Sequence, residues 1–180
     1  HPRSMNLDAD TREQVRQRAS FCCEFCGISE TDAGGLLTID HFRPTSKGGT
    51  DDLDNLIYSC ARCNQYKLDY WPVDTDCPML WNPRQEPSDR HFRELDDGTL
   101  YPLTPTGVLT LERLRLNRPP LVAHRLRRRQ ERERIRLLTR YRELTVLLEQ
   151  MLDQQADLME EYQTLLREQR ELLQLLIEGR

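Results

Sequence analysis

Six cysteines and four histidines are the residues of this sequence best suited to hold a metal, and four of the cysteines are paired. Cys23 and Cys26 form one Cys-x-x-Cys pair, and Cys60 and Cys63 form a second pair after a gap of 33 residues. Thiolates in two such pairs are typical ligands of tetrahedral structural zinc. Four buried reduced thiols are the alternative, although packing alone seldom produces two such pairs. The spacing therefore predicts a Zn²⁺ site with an inserted segment between its two halves.

Oxygen and imidazole groups lie within that inserted segment and directly after it. Asp40 and His41 follow the apolar run LLTI, and Asn64 follows the second cysteine pair. Phosphodiester hydrolysis needs a base for the attacking water, and a neutral imidazole suits that task. It also needs charge neutralisation at the phosphate and the leaving oxygen, which a divalent metal on hard oxygen ligands supplies. We therefore interpret His41 as a general base, with Asp40 and Asn64 as ligands of a catalytic metal.

The segments around these residues predict a strand, a loop, a second strand and a helix. Two short strands are indicated by LLTIDH and LIYS, a loop by RPTSKGGTDDLDN and a helix by CARCNQYKLD. A short helix through TREQVRQRAS, capped by Asp10 or Thr11, precedes the first cysteine pair. Adjacent residues on a strand point to opposite faces unless the strand ends. Because Phe42-Arg43-Pro44 makes that ending favourable, we expect Asp40 and His41 to flank one phosphate.

Composition indicates how the rest of the chain is organised. Only 37% of the 180 residues are hydrophobic, which favours a small packed unit with an elongated exposed element. The opening HPRSM has the pattern of a cloning remnant before Met5, so His1 is set aside as a ligand. Eight of the ten prolines lie between residues 71 and 120, where we expect a strand pair in FRELDDGTLYPL and a helix in GVLTLERLRLN. The predicted divisions are a disordered start at 1–7, a metal module at 8–70, a packing extension at 71–120 and a helical tail at 121–180.

The tail is predicted to be one long amphipathic helix. No glycine or proline lies between Leu121 and Glu178, and apolar residues recur every seven positions from Leu137 to Leu172. Such a face must fold back near DQQAD, pair with another copy of the chain, or bind another protein. The fold-back is the weaker alternative because DQQAD contains no turn residue. We expect a homo-oligomer or a heterologous protein partner through this helix.

Charge is strongly segregated along the tail. The stretch 125–142 has nine arginines against two glutamates, whereas nine acidic residues and three arginines follow from 143 onward. The formal net charge of −4 therefore conceals a basic segment. It is either a solvated helix face with ion pairs at helical spacing or a contact surface for the DNA backbone. We favour the DNA contact, with these candidate residues: Arg125, Arg127, Arg128, Arg129 and Arg132.

The stretch from Arg18 to Asp69 closely resembles the HNH endonucleases, also called ββα-metal nucleases. The resemblance is carried by CEFCG and by IDHFRPTSKGGTDDLDNLIYSCARCNQYK. The later segments LWNP, HF, LTPTG and LRLNRP look like the continuation found in many stand-alone bacterial members, and the long helix lies outside the resemblance. It implies an α+β fold: a zinc-stapled ββα-metal (HNH) module, followed here by a long C-terminal α-helix or coiled coil.

The resemblance also implies roles for individual residues. His41 corresponds to the general base, Asp40 to a ligand of the catalytic metal, and the four paired cysteines to the zinc ligands. Asn55 corresponds to the middle asparagine, which pins the loop and so orients the histidine. Asn64 stands where many members have histidine, and its amide oxygen favours Mg²⁺ or Mn²⁺ over softer metals. Lys67, one helical turn later, is a candidate phosphate contact, with a solvated helix lysine as the alternative.

Two classes of function follow from these interpretations. The first is a metal-dependent HNH endonuclease that hydrolyses DNA to 5′-phosphate products, in a phage-defence or mobile-element system by analogy. The second is a zinc-stapled nucleic-acid-binding or adaptor protein with an inactive site, whose tail recruits a partner. The intact residues at positions 40, 41, 55 and 64 weigh against the second, since zinc binding requires none of them. Without a signal-peptide pattern or an apolar run of about 20 residues, we expect a cytoplasmic protein that does not enter a membrane.

Overall fold

The computed structural model describes residues 7–74 and 76–179. His1 and the rest of the predicted cloning remnant before Leu7 lie outside the described residues. The chain divides into two compact units, one up to Arg128 and one from Arg129 onward. Among the described residues, the five α-helices and four strands are, in chain order, α1 (Ala9–Arg18), α2 (Glu30–Ala33), β1 (Thr38–His41), β2 (Leu56–Ser59), α3 (Ala61–Lys67), β3 (Phe92–Glu94), β4 (Leu100–Pro102), α4 (Pro105–Arg113) and α5 (Pro119–Glu178).

The first unit is α+β and contains two small antiparallel sheets among the described residues. Strands β1 and β2 form the first hairpin, in which Thr38 lies opposite Ser59 and His41 opposite Leu56. Strands β3 and β4 form the second. Helix α3 follows β2 directly, so the predicted α+β class and the order strand, strand, helix are confirmed. Two 3₁₀ turns, Thr45–Lys47 and Leu53–Asn55, lie in the loop that joins β1 to β2.

Strand β2 is buried on both faces, which explains its largely apolar sequence. Leu56 and Tyr58 pack with Val15 of α1, whereas Ile57 belongs to the larger cluster that contains the paired cysteines. Alternate residues of a strand point to opposite faces, so LIYS contacts α1 on one side and the cysteine cluster on the other. Strand β2 is therefore held between two packed layers, and it fixes the position of its partner β1, which ends at His41.

The proline-rich segment contributes side chains to the same larger cluster. The Trp81 ring meets the Phe25 ring edge-on at 6.4 Å and the Phe92 ring at 5.5 Å between centroids. Its indole nitrogen donates to the Glu86 carbonyl at 2.8 Å, and its backbone N–H donates to Thr110 Oγ1 at 2.7 Å. Such pairing is what a buried tryptophan requires. The segment thus shares the core of the cysteine cluster.

Helix α1 begins slightly before the position that the sequence predicts. Asp8, rather than Asp10 or Thr11, is the N-cap, and its side chain accepts a hydrogen bond of 2.6 Å from the Thr11 backbone N–H. An aspartate three residues before the free N–H satisfies an otherwise unpaired donor. The difference arises because three acceptor side chains lie close together at this helix start, and local sequence does not rank them.

Helix α5 runs without interruption from Pro119 to Glu178, through the DQQAD segment. The fold-back considered for the tail is therefore not adopted. Leu121, His124 and Arg125 are buried in the first unit, which extends to Arg128. Apolar side chains farther along the helix are exposed, including Leu137 at 68% and Met151 at 60%. No helix among the described residues is long and apolar enough to cross a membrane.

Candidate active site and metal centre

The four paired cysteines meet at one point. The sulfur atoms of Cys23, Cys26, Cys60 and Cys63 all lie within 4.8 Å of one another, and the Cys26 and Cys60 sulfurs are 3.8 Å apart. Four sulfurs at about 2.3 Å from a tetrahedral zinc ion are separated by about 3.8 Å. The geometry and the all-sulfur donor set therefore fit a structural zinc ion, as the spacing predicts.

Local backbone turns present these sulfurs. The Cys23 carbonyl accepts from the Gly27 N–H at 2.8 Å, closing a tight turn in which Gly27 has a φ of +74°. Cys60 is the N-cap of α3, and its sulfur accepts a hydrogen bond of 3.4 Å from the Cys63 N–H. Each pair is thus folded into a compact knuckle, and the second knuckle starts the helix that carries Asn64.

The surroundings lower the pKa of Cys23 and Cys60 and so favour their thiolates, whereas hydrogen bonds from neighbouring thiols raise the pKa of Cys26 and Cys63. Hydrogen bonds from the other thiols, first Cys23 and then Cys26, hold the pKa of Cys60 well below its usual value. The Arg118 guanidinium lies 3.7 Å from the Cys63 sulfur and 3.9 Å from the Cys60 sulfur. Thiolate is the form that binds zinc, and a cation beside the sulfurs offsets their combined negative charge. Arg118 is a supporting residue that the sequence pattern did not single out.

Strand β1 ends at His41, where the predicted general base is positioned by three contacts. Its position in the hairpin is fixed by the pairing with Leu56. Its carbonyl accepts a hydrogen bond of 2.6 Å from Lys67 Nζ. Its ring Nε2 lies 2.6 Å from Asp51 Oδ1. The imidazole is 9% exposed and can turn little without breaking these contacts.

Asn55 holds the loop between the two strands. Its Oδ1 accepts from the Arg43 N–H at 2.8 Å, and its Nδ2 donates to the carbonyls of Arg43 and Thr50 at 3.1 and 2.7 Å. Gly49 passes so close to Arg43 that an added Cβ would lie 1.8 Å from the Arg43 carbonyl oxygen. The asparagine and the absent side chain at position 49 together bring residue 51 next to His41.

Asp40 lies on strand β1 and Asn64 on helix α3, which packs against that strand. Thr38 and Asp40 share one face of β1, because residues two apart on a strand point the same way. Asn64 Nδ2 lies 3.4 Å from Thr38 Oγ1 on that face. Asp40 Oδ2 is buried and has no hydrogen-bond partner. A buried carboxylate oxygen that accepts no hydrogen bond, on the strand face that the Asn64 amide contacts, offers hard-oxygen donors of the kind that Mg²⁺ prefers.

Lys67 lies in the protein interior rather than on the surface where a phosphate contact was expected. Its side chain is 1% exposed, and Nζ lies 2.9 Å from Asp40 Oδ2 in an ion pair that lacks hydrogen-bond geometry. The ammonium donates to the carbonyls of His41 and Leu68 at 2.6 and 3.4 Å. Lys67 therefore contacts both Asp40 and His41 from the protein interior.

Asp51 is a candidate site residue that sequence analysis did not select. A carboxylate acceptor on Nε2 favours the tautomer with its proton on that nitrogen, which leaves Nδ1 as the basic nitrogen. The segment DDLDN contains three aspartates within four positions, so sequence alone gives no reason to choose the first. The only available signal was its place two residues after Gly49, since the glycine turn decides which aspartate reaches His41.

The arginines predicted to contact DNA have different environments. Arg125 is buried, and its guanidinium donates to the Gly98 and Leu116 carbonyls at 2.6 and 2.9 Å and to Asn117 Oδ1 at 3.1 Å. Arg128 pairs with Glu94 at 3.1 Å. Arg129 is half-buried, whereas Arg127 and Arg132 are exposed. The predicted set thus divides into side chains that bind the protein itself and side chains that face solvent.

Comparison with known proteins bears on the same region. Residues 23–69 match a family model described as HNH endonuclease. The chain is 26% identical over 132 residues to the Septu protein PtuA of Bacillus mycoides (strain KBAB4), in an alignment that covers 57% of this chain. The matched part is 18% of that relative, so the chain spans less than a fifth of its length. No solved structure gives a significant match.

Proposed function

Residues 23–69 match the HNH endonuclease family, and from this match we propose that the protein is a metal-dependent endonuclease that hydrolyses DNA phosphodiester bonds. The observation that carries the proposal is the arrangement at the end of β1. His41 is fixed beside Asp51 on one side, and Asp40 faces α3 with Asn64 on the other. A zinc-binding scaffold alone has no need for this arrangement.

His41 is proposed to take the proton from the attacking water. The Asp51 carboxylate accepts a hydrogen bond from the Nε2–H of His41, so the proton of the attacking water goes to Nδ1. The imidazolium that results is stabilised by the Asp51 carboxylate. Asn55 does not contact the reacting atoms in this proposal. It is a positioning residue, because it closes the loop that carries Asp51.

Asp40 and Asn64 are proposed to hold the catalytic divalent metal, Mg²⁺ or Mn²⁺. The fit rests on the Asp40 carboxylate, whose Oδ2 pairs with Lys67 but accepts no hydrogen bond, and on the Asn64 amide, whose nitrogen makes a weak 3.4 Å contact with Thr38 Oγ1. When bound, the metal supplies charge stabilisation at the phosphate and the leaving 3′-oxygen. Neither Asp40 nor Asn64 offers a soft sulfur ligand, and the four paired cysteines form a separate cluster, so this site favours a hard metal ion.

Lys67 is proposed to position both halves of the site. A buried ammonium that bonds the His41 carbonyl and pairs with Asp40 fixes the distance between the base and the metal ligand. The ion pair also offsets part of the cost of keeping the Asp40 carboxylate largely out of water.

Replacing Lys67 by methionine, which has a similar volume, is expected to destabilise the folded protein by about 3 kcal/mol. This loss of stability lies at the lower end of the range observed when a buried ion pair is broken, because the Asp40 side chain is 19% exposed to solvent. Urea unfolding of the zinc-loaded protein measures the effect. The matched control is Lys47→Met, since Lys47 is exposed. Equal stability of the two variants would contradict the proposed role of Lys67.

DNA binding is proposed to use the exposed arginines of the basic segment. Arg127 and Arg132 are open to phosphate contacts, which raise affinity without reading sequence. Arg125 is assigned instead to the interior of the first unit, because its donors are engaged by Gly98, Leu116 and Asn117. A phage-defence or mobile-element setting remains a proposal, and the similarity to a Septu protein is the comparison that supports it.

A cleavage assay on the purified full chain tests the proposed function. With Mg²⁺ or Mn²⁺, we expect nicking or linearisation of plasmid DNA with 5′-phosphate ends, and no cleavage when the divalent metal is chelated. Single-stranded DNA and RNA, assayed in parallel, define the substrate class. Zinc-loaded protein that binds plasmid but cleaves none of these substrates would favour the alternative of an inactive nucleic-acid-binding adaptor.

A further inference from the structure

The second unit presents an apolar helix face that its own chain leaves exposed. Between Ile135 and Ile177, side chains on this face are roughly half to three-quarters accessible, among them Leu144 at 56% and Leu165 at 61%. The helix is continuous through this whole region, so it does not cover the face by folding back. An apolar stripe at heptad spacing over this length is typical of a helix that pairs with another helix.

Charge along the same helix is divided into two segments of opposite sign. Residues 129–142, here called the basic segment, contain six arginines and two glutamates. Residues 143–178, here called the acidic segment, contain nine acidic residues and two arginines. The formal charges are +4 and −7. One helix therefore carries both halves of a complementary electrostatic pattern.

We propose that this face binds a second copy of α5 in antiparallel orientation. A parallel pair would place the two basic segments side by side and the two acidic segments side by side, which is repulsive along the whole interface. An antiparallel pair can place each 14-residue basic segment against the part of the other copy's acidic segment around Glu160 and Glu161, while the residues near 150 of the two copies meet each other. The apolar stripe supplies the burial, and the charge pattern selects both the partner and the direction. This inference is independent of the nuclease site.

Charge reversal tests both the partner and the orientation in the full chain. One variant carries Arg140→Glu and Arg142→Glu in the basic segment, and the second carries Glu160→Arg and Glu161→Arg in the acidic segment. Both pairs are exposed and lie outside the nuclease site. We expect the unmodified protein to form dimers, and each variant to raise the dimer dissociation constant about tenfold or more at low salt. Combining all four substitutions restores opposite charges across the pair and should return the dissociation constant close to its original value.

Sedimentation over a concentration series, without nucleic acid, measures these equilibria. The tenfold losses should shrink at high salt, because exposed charges are screened beyond about 10 Å at 0.1 M ionic strength. A monomer at every concentration would overturn the proposal and leave a different protein as the occupant. Variants that dimerise as tightly as the unmodified chain would also overturn it, since that is the behaviour of a parallel or charge-indifferent pair.

Discussion

Replacing His41 by alanine is expected to lower metal-dependent plasmid cleavage by about 10²- to 10⁴-fold, the usual contribution of a general base. The imidazole is the group that the proposal places between Asp51 and the attacking water. Alanine keeps the strand pairing with Leu56 and the carbonyl that Lys67 binds, so the hairpin keeps its backbone contacts. Initial cleavage rates at saturating Mg²⁺, with zinc content measured on the same samples, give the effect.

His124→Ala is the matched control for this loss. His124 is also a buried histidine near a carboxylate, with Nδ1 at 3.6 Å from Asp32, but it belongs to α5 and not to the candidate site. We expect its removal to leave the cleavage rate within about twofold of the original. Full activity in His41→Ala would contradict the assignment of the base, whereas a parallel loss of zinc would indicate unfolding instead.

Local sequence predicts the elements that depend on short-range patterns. LIYS is largely apolar, and β2 spans the same four residues because both of its faces are buried. The two Cys-x-x-Cys pairs predict the cluster of four sulfurs, since each pair forms its own turn and the hairpin brings the turns together. The apolar heptads and the absence of Gly and Pro predict a continuous α5. In each case the signal is a residue pattern that can be read along the chain without knowing which distant segments pack together.

Roles that depend on tertiary contacts could not be read from the sequence. Lys67 follows Asn64 by one helical turn, and this spacing predicts a surface position. Because α3 packs on β1, the Lys67 ammonium instead lies next to the Asp40 carboxylate in the interior. Arg125 lies in a run of similar arginines, and only the return of the chain at Gly98 and Leu116 singles it out. Asp51 is chosen among three aspartates by the path of the Gly49 turn. Each of these three roles depends on which other part of the chain packs beside the residue in the folded protein.

Removing the zinc ion that the four paired cysteines are predicted to hold is expected to unfold the packed part of the first unit. Cys63→Ala takes away a sulfur that is 0% exposed at the centre of the cluster. Zinc bound by cysteines contributes roughly 10–16 kcal/mol in zinc-finger peptides, while whole domains are stable by only about 5–15 kcal/mol. The loss of one ligand therefore threatens the entire stability of this unit. We expect zinc content, cooperative unfolding and nuclease activity to disappear together.

Near-ultraviolet circular dichroism is the suitable measurement of that unfolding. Trp81 packs edge-on against Phe25, which lies between the first two zinc ligands, so its signal reports the packing around the metal. Far-ultraviolet signal is less informative, because α5 contributes helical signal but no zinc ligand.

Cys77→Ala is the matched control, since Cys77 is exposed and outside the cluster. If Cys63→Ala kept its zinc and its tryptophan signal, or if Cys77→Ala lost them, the assignment of the four ligands would be wrong. Because no cysteine of the cluster is proposed to touch DNA, a joint loss of zinc and cleavage would show that the metal acts by holding His41 and Asp40 in place.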